Sequence, residues 1–170
     1  MIKKLESLVI APYFSTYLKL VEHENLVQEL EASEDLVSEY LNDLDIDRAG
    51  NKYQEDKWTI AEVIHHCIET EIIFNFRALT IAREAEQPIL AGFDENAYVN
   101  ASGKKSWKPA ELMLYFDAVR NTTISLLSSI SNEQLGKCGT ASGKEVQVEA
   151  LFFVTSGHFR HHLNVIKERY

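Results

Sequence analysis

Trp58-Thr59-Ile60-Ala61-Glu62-Val63-Ile64-His65-His66-Cys67 is the stretch on which the reading of the fold turns. Thr59, followed by Glu62 three residues on, forms a capping box, in which each side chain accepts from the other residue's otherwise unbonded N–H at a helix start. Behind it, Ile60, Val63, Ile64, Cys67, Phe74 and Ile81 keep to one face of a helix of period 3.6. That helix ends near Glu86 and Pro88. Toward the N-terminus, Asn25 and Gln28 read as another capping box, opening a helix through about Leu44, and an amphipathic segment follows Pro12. Toward the C-terminus, a third helix starts near Ser106, with Pro109 tolerated in its first turn, and carries Leu112, Met113, Phe116, Val119, Leu126 and Leu127 inward. Ser131 and Gln134 mark a short capped turn, and the last helix runs from about Val146 to Arg169.

Six of the seven glycines fall in loops between these helices, and the alternation over Lys144–Val148 is too short to argue for a sheet. Four substantial helices predict the all-α class, a four-helix bundle forming a single domain over residues 1–170. The long connection between the second and third helices, from Pro88 to Ser106, contains Gly92, Asn96, Asn100 and Gly103 without sustained periodicity. A connection of that length inside a small domain is more often functional than idle. It also frees the bundle from a simple up-down-up-down order.

The 170 residues carry a net charge of −9, which speaks against nucleic acid, whose phosphates require a basic surface. No apolar run approaches the roughly 20 residues that span a bilayer. Met1-Ile2-Lys3-Lys4 has the basic character of a signal-peptide start, but Glu6 and Pro12 interrupt the apolar core that should follow. Cys67 and Cys138 make neither a CxxC pair nor a disulfide framework, so a reduced, cytoplasmic setting is expected.

The chemistry lies in the histidines. In His158-Phe159-Arg160-His161-His162, the four-residue spacing turns His158 and His162 in nearly the same direction, one helical turn apart. The buried stripe of this helix comprises Val148, Leu151, Phe152, Thr155, Phe159, Leu163 and Ile166. On the helical wheel His158 lies at the edge of that arc, His162 falls inside it, and His161 points further toward solvent. Two imidazoles buried among apolar groups need partners, and a shared metal ion supplies one. Gly157, inside the helix, lets a neighbouring element approach closely at this level. The plain alternative is that histidines in a helix's last turns merely favour its negative end, as Arg160, Lys167 and Arg169 do. A second pair, His65-His66, strengthens the metal reading by offering imidazole from another helix, but periodicity leaves open which of the two takes part.

Lys57-Trp58-Thr59-Ile60-Ala61-Glu62-Val63-Ile64-His65-His66 resembles the DinB-like superfamily, which includes the YfiT-type proteins. Glu69-Thr70-Glu71, Arg77-Ala78-Leu79 and Gly92-Phe93-Asp94-Glu95-Asn96-Ala97-Tyr98 look like its continuation, and Gly157-His158-Phe159-Arg160-His161-His162 resembles its terminal Gly-His-x-x-His-His signature. The similarity runs from about Tyr13 to Tyr170. It implies an antiparallel four-helix bundle, often a homodimer, with a divalent metal held by His66, eight residues after Trp58, and by His158 and His162. Departures are His65, where small residues are common, and Cys67 in place of leucine, a thiol beside His66 that bears on metal preference. The family's activities include thiol S-transfer with low-molecular-weight thiols and a mycothiol-dependent isomerisation. Many members are labelled metal-dependent hydrolases.

Three neutral imidazoles leave a divalent ion open positions for water or substrate, the arrangement of a catalytic site. Such an ion lowers the pKa of bound water to about 7 or holds a thiol as thiolate. The sequence therefore points to a metal-dependent enzyme acting on small molecules, a thiol S-transferase or a hydrolase. Zinc is the first expectation, and nickel, manganese and iron also suit imidazole. A non-catalytic metal-binding or stress-response module, or a helical dimerisation module with incidental histidines, are the alternatives. Glu69 is a candidate base or orienting group, and Arg77, three turns along the face of His66, a candidate contact for an anionic substrate group. For both, an ordinary solvated or paired side chain is the competing reading. Glu71 falls in the apolar stripe, where an unpaired charge is costly, and a buried pair with Arg120 is expected. Asp94 and Tyr98 are placed at the site entrance, Cys67 in the core and Trp58 in packing at the helix start.

Overall fold

The computed structural model describes residues 3–103 and 106–170, so Met1-Ile2 of the opening stretch and two residues of the 88–106 connection lie outside the described residues. Short 3-10 turns over Lys3–Ser7 and Pro12–Phe14 lead into α1 (Ser15–Leu18). Then come α2 (Leu26–Asp43), α3 (Ile46–Ala49), α4 (Ile60–Arg83), β1 (Ile89–Leu90), α5 (Glu95–Ala101) and α6 (Pro109–Ser128). The chain continues through α7 (Asn132–Leu135), β2 (Cys138–Ala141), β3 (Lys144–Gln147) and α8 (Val148–Arg169). The four long helices close a ring: α4 and α2 each pack against both α6 and α8. The protein is an all-α four-helix bundle, and no helix among the described residues is long and apolar enough to cross a membrane.

Local chemistry sets the helix ends. The Thr59–Glu62 box forms in both directions, with Thr59 N–H donating to Glu62 at 2.7 Å and Glu62 N–H to the Thr59 hydroxyl at 3.1 Å. Asn25 accepts from Gln28 N–H at 3.1 Å. Gln28 returns no bond to Asn25 among the described residues, so only half of this second box forms; beside it the Glu29 carboxylate accepts from the N–H groups of Glu22 and His23, both at 2.9 Å. The other oxygen of Glu29 receives Arg160 of α8 at 3.1 Å, so one buried carboxylate ties the N-terminal segment to two helices.

Between two apolar clusters lies a polar layer that uses all four long helices. Glu71 of α4 and Arg120 of α6 pair bidentately at 2.9 and 3.0 Å, both side chains fully buried, as expected. Arg120 also donates to the Leu30 carbonyl and the Ser33 hydroxyl of α2, each at 2.7 Å. Thr123 donates to Glu71, Asn75 donates to Thr123, and Ser33 meets Ser156 of α8 at 2.9 Å. Satisfying every arm of a buried ion pair is what makes its desolvation tolerable.

Two expectations are corrected. The connection between α4 and α6 is not structureless: Asp94 caps the short helix α5 by accepting from Ala97 N–H at 3.0 Å. The Lys144–Val148 alternation does contain a strand, β3. It pairs antiparallel with β2, Gly139 opposite Val146, while β1 adds in parallel through Ile89 opposite Thr140. Ser142 and Gly143 make the two-residue turn, both with positive φ (53° and 72°), the backbone that a tight hairpin of right-handed twist requires. Such four-residue strands are too short for alternation to register, although Ser-Gly is a turn signal.

Candidate metal centre

The close approach expected at Gly157 is present. A Cβ there would strike the Tyr17 carbonyl group, 2.7 Å from its carbon, so α1 lies directly against the middle of α8. Alanine normally stabilises a helix over glycine by roughly 0.5–1 kcal/mol. Here Gly157→Ala is expected to destabilise by about 1–3 kcal/mol through overpacking, read as a lower urea midpoint.

His66 of α4 and His158 and His162 of α8 converge: one ring nitrogen of each lies within 4.8 Å of the others. The Nε2 atoms of His158 and His162 are 3.1 Å apart. Two imidazole nitrogens bound to one ion at about 2.0–2.1 Å stand roughly 3.0–3.4 Å from each other, so the spacing fits a shared cation. His158 is the more buried of the α8 pair, at 5 % exposure, whereas His162 is half-buried; the helical wheel implied the reverse. The cause is α1, whose Tyr17 ring covers His158 edge-on at a centroid distance of 5.2 Å and which periodicity within α8 cannot reveal.

Burial holds all three imidazoles uncharged. It pushes His66 down to about 4, against an opposing pull from the Glu95 carboxylate and with His65 adding to the fall. It pushes His162 to about 3 and His158 well below its ordinary value, with the neighbouring histidines adding to the effect. At neutral pH each ring therefore offers a lone pair. As pH falls below about 6.5, the unfolded chain binds protons that the folded chain refuses, and stability falls with it. Each such imidazole contributes about 1.4 kcal/mol per pH unit. In metal-free protein, His66→Asn is expected to make the urea stability profile between pH 6 and 5 shallower by that amount; an unchanged slope would show that His66 is not held neutral.

The histidines sit at one end of a cavity of about 380 Å³. From α4 the stripe His66, Thr70, Phe74 and Arg77 lines it, so Arg77 is where the sequence placed it. Trp58 lines it too, its ring 5.0 Å from that of His66, in addition to packing at the start of α4. The opposite walls are Tyr13, Phe14, Tyr17, Phe93, Glu95 and Ser142; Phe93 and Glu95 belong to the loop that resembles the superfamily's, whereas the other four carried no signal of their own in the sequence. They come from short segments far apart in the chain, at which the glycine at 157 and the long 88–106 connection could only hint.

Several sequence candidates lie elsewhere. Glu69 faces away from the cluster and meets His65 at 3.6 Å. At about 100° per residue the cavity face extends from His66 toward Thr70 and Phe74, while Glu69 lies on the other side, toward His65. His65 stacks on Trp107 at 4.7 Å and takes no part in the cluster. Asp94 is spent on capping α5, and Tyr98 lines a separate surface pocket with His65 and Glu69. Cys67 is a fully buried core residue with its thiol raised by desolvation, and both cysteines are free.

A profile of the DinB superfamily matches residues 29–166. The chain belongs to the DinB superfamily. Among DinB relatives, a Bacillus cereus protein provisionally named a metal-dependent hydrolase is 22% identical over 151 residues, 86% of each chain. An Oceanobacillus iheyensis protein with the same provisional name is 24% identical over 147 residues, 85% of this chain and 83% of its own. The DinB fold is shared with YfiT from Bacillus subtilis, described as a probable metal-dependent hydrolase with an unusual four-helix bundle topology. Its TM-score is 0.69 at 17% identity, over 94% of this chain and 87% of that one. A mycothiol-dependent maleylpyruvate isomerase matches with a TM-score of 0.59 at 17% identity, over 88% of this chain and 59% of that one.

Proposed function

We propose that this DinB protein is a metal-dependent enzyme acting on small molecules, with His66, His158 and His162 holding one divalent ion, zinc first and nickel, manganese or iron next. The observation that carries this reading is the convergence of three uncharged imidazoles from two helices at the end of a cavity. A structural ion takes four protein ligands, whereas this cluster, among the described residues, offers three and faces open space. The provisional hydrolase names of the Bacillus cereus and Oceanobacillus relatives support the same chemistry. When bound, such an ion supplies a Lewis acid and a nucleophile at neutral pH, from water or from a thiol.

The chain's own residues do the rest. Placing the ligands on α4 and α8, packed directly together, fixes their geometry without dependence on a loop. Phe14, Phe74 and Trp58 wall the cavity with apolar surface that excludes water and strengthens every polar contact inside. The volume is in the range of small-molecule sites, which favours a small organic substrate over a macromolecule. Hydrolysis and transfer of a low-molecular-weight thiol make use of the same ligands, the mycothiol-dependent structural neighbour lending support to the second.

Elemental analysis of purified wild-type protein and of His162→Ala tests the ion: about one ion per chain is expected in the first and almost none in the second. Near-zero metal in both would end the reading. A panel of bacterial thiols with a generic electrophile, beside a panel of activated esters, then separates S-transfer from hydrolysis. The same proposal includes a cytoplasmic homodimer. The exposed apolar stripe Ile72, Phe76 and Leu79 along α4 supports the dimer, and Phe76→Glu is expected to halve the mass measured by sedimentation.

A further inference from the structure

Three arginines are buried among the described residues: Arg77, Arg120 and Arg160. Arg120 is neutralised by Glu71, and Arg160 by Glu22 at 3.0 Å and Glu29 at 3.1 Å. Arg77, at 3 % exposure, has no such partner among the described residues. Its two hydrogen bonds leave from a single nitrogen, Nη2, to the Ala91 carbonyl at 3.0 Å and the Ser142 hydroxyl at 3.1 Å. Both acceptors are neutral. Nε and Nη1 have no acceptor among the described residues. In a chain with 26 acidic and 17 basic residues, leaving a buried guanidinium without a carboxylate is a choice that needs a reason.

The cavity supplies one. Arg77 is the only lysine or arginine among the described residues that line it, at the end away from the histidines. The rings of Phe74 and Phe93 flank the guanidinium at 6.0 and 5.8 Å, so its charge sits between aromatic faces and away from bulk water. Ser142 accepts from Arg77, which leaves its own O–H to donate elsewhere. Thr70, on the same stripe of α4, has a buried hydroxyl with no hydrogen-bond partner among the described residues. The one carboxylate among the described residues of the lining, Glu95, forms no ion pair with Arg77.

We propose that Arg77, with the hydroxyls of Ser142 and Thr70, forms an oxyanion subsite, so that the cavity takes a small molecule with a carboxylate or phosphate remote from the group that meets the histidines. A planar fork of N–H donors suits either anion. Helix rise sets Cα of Arg77 roughly 16 Å beyond that of His66, and the arginine side chain leans back toward the helix N-terminus. The ligand therefore carries its charge several bonds from its reacting end, with an apolar spacer against Phe74 and Phe93. Only the identity of that reacting end rests on the metal reading above.

Calorimetry on chelator-treated protein tests this without any ion, using 3-phenylpropionate, 2-phenylethyl phosphate and the neutral 3-phenylpropanamide. Wild type is expected to bind at least one of the two anions about tenfold or more tighter than the amide, the return for a charge-assisted contact. Arg77→Met should bring all three within twofold, Ser142→Ala should reduce the preference in part, and His158→Ala should leave it intact. Whichever anion wins identifies the charged group. Equal binding of anions and amide by wild type, or a preference retained in Arg77→Met, overturns the subsite. The wild-type comparison stands alone should Arg77→Met fail to fold. A protein that carries no metal yet shows an Arg77-dependent anion preference refutes the ion and keeps the subsite; metal without that preference does the opposite.

Discussion

Arg120→Met is expected to cost the fold about 3–5 kcal/mol, because it leaves the carboxylate of Glu71 fully buried and unpaired. The loss extends beyond the pair. The Leu30 carbonyl and the Ser33 hydroxyl each lose their charged donor in the same step, keeping the bond between themselves and that of Ser33 to Ser156, so α2 is loosened as well as α4. A Glu71→Leu, Arg120→Met double variant should recover most of the loss, since a buried ion pair is often replaceable by apolar residues of similar volume. Urea unfolding of the two single variants and the double variant reads the cycle directly. A cost for Arg120→Met below about 1 kcal/mol would show that the polar layer is not what registers the four helices against one another.

The second large effect is expected at the histidines. With zinc at a hundred times its dissociation constant, wild type should gain about 2.7 kcal/mol over metal-free protein, and excess chelator should remove the gain. His158→Ala should show no gain at the same zinc concentration. His158 is the sharpest choice, because it is the most buried of the cluster and its Nε2 lies 3.1 Å from that of His162. The shift is read as the melting temperature with and without zinc. An equal shift in wild type and variant would place the ion elsewhere and end the three-histidine proposal.

Much of the architecture was legible because it is local. The Thr59–Glu62 box, the Ser131–Gln134 turn and the stripe from Val148 to Ile166 each follow from spacing within one element. The Glu71–Arg120 pair was also readable, since a carboxylate in an apolar stripe demands a partner. Hidden features were those that depend on a second element arriving from elsewhere. Tyr17 reverses the burial order of His158 and His162, and the hairpin places Ser142 against Arg77. Glu69 shows the limit of face arguments: three residues from His66, it is turned by some 60° to the side occupied by His65. Spacing alone left His65 and His66 equivalent, and the packing of α8 against α4 separates them.

The cavity is assembled from two kinds of parts. Its histidines stand on long helices locked by the buried polar layer, whereas Tyr13, Phe93, Glu95 and Ser142 belong to short pieces at the periphery of the bundle. Mutations in those pieces can reshape what enters without disturbing the helices that hold the imidazoles. Chemistry and diet are thus separately evolvable in this architecture, and a library randomised at positions 13, 93, 95 and 142 should yield folded proteins of altered appetite.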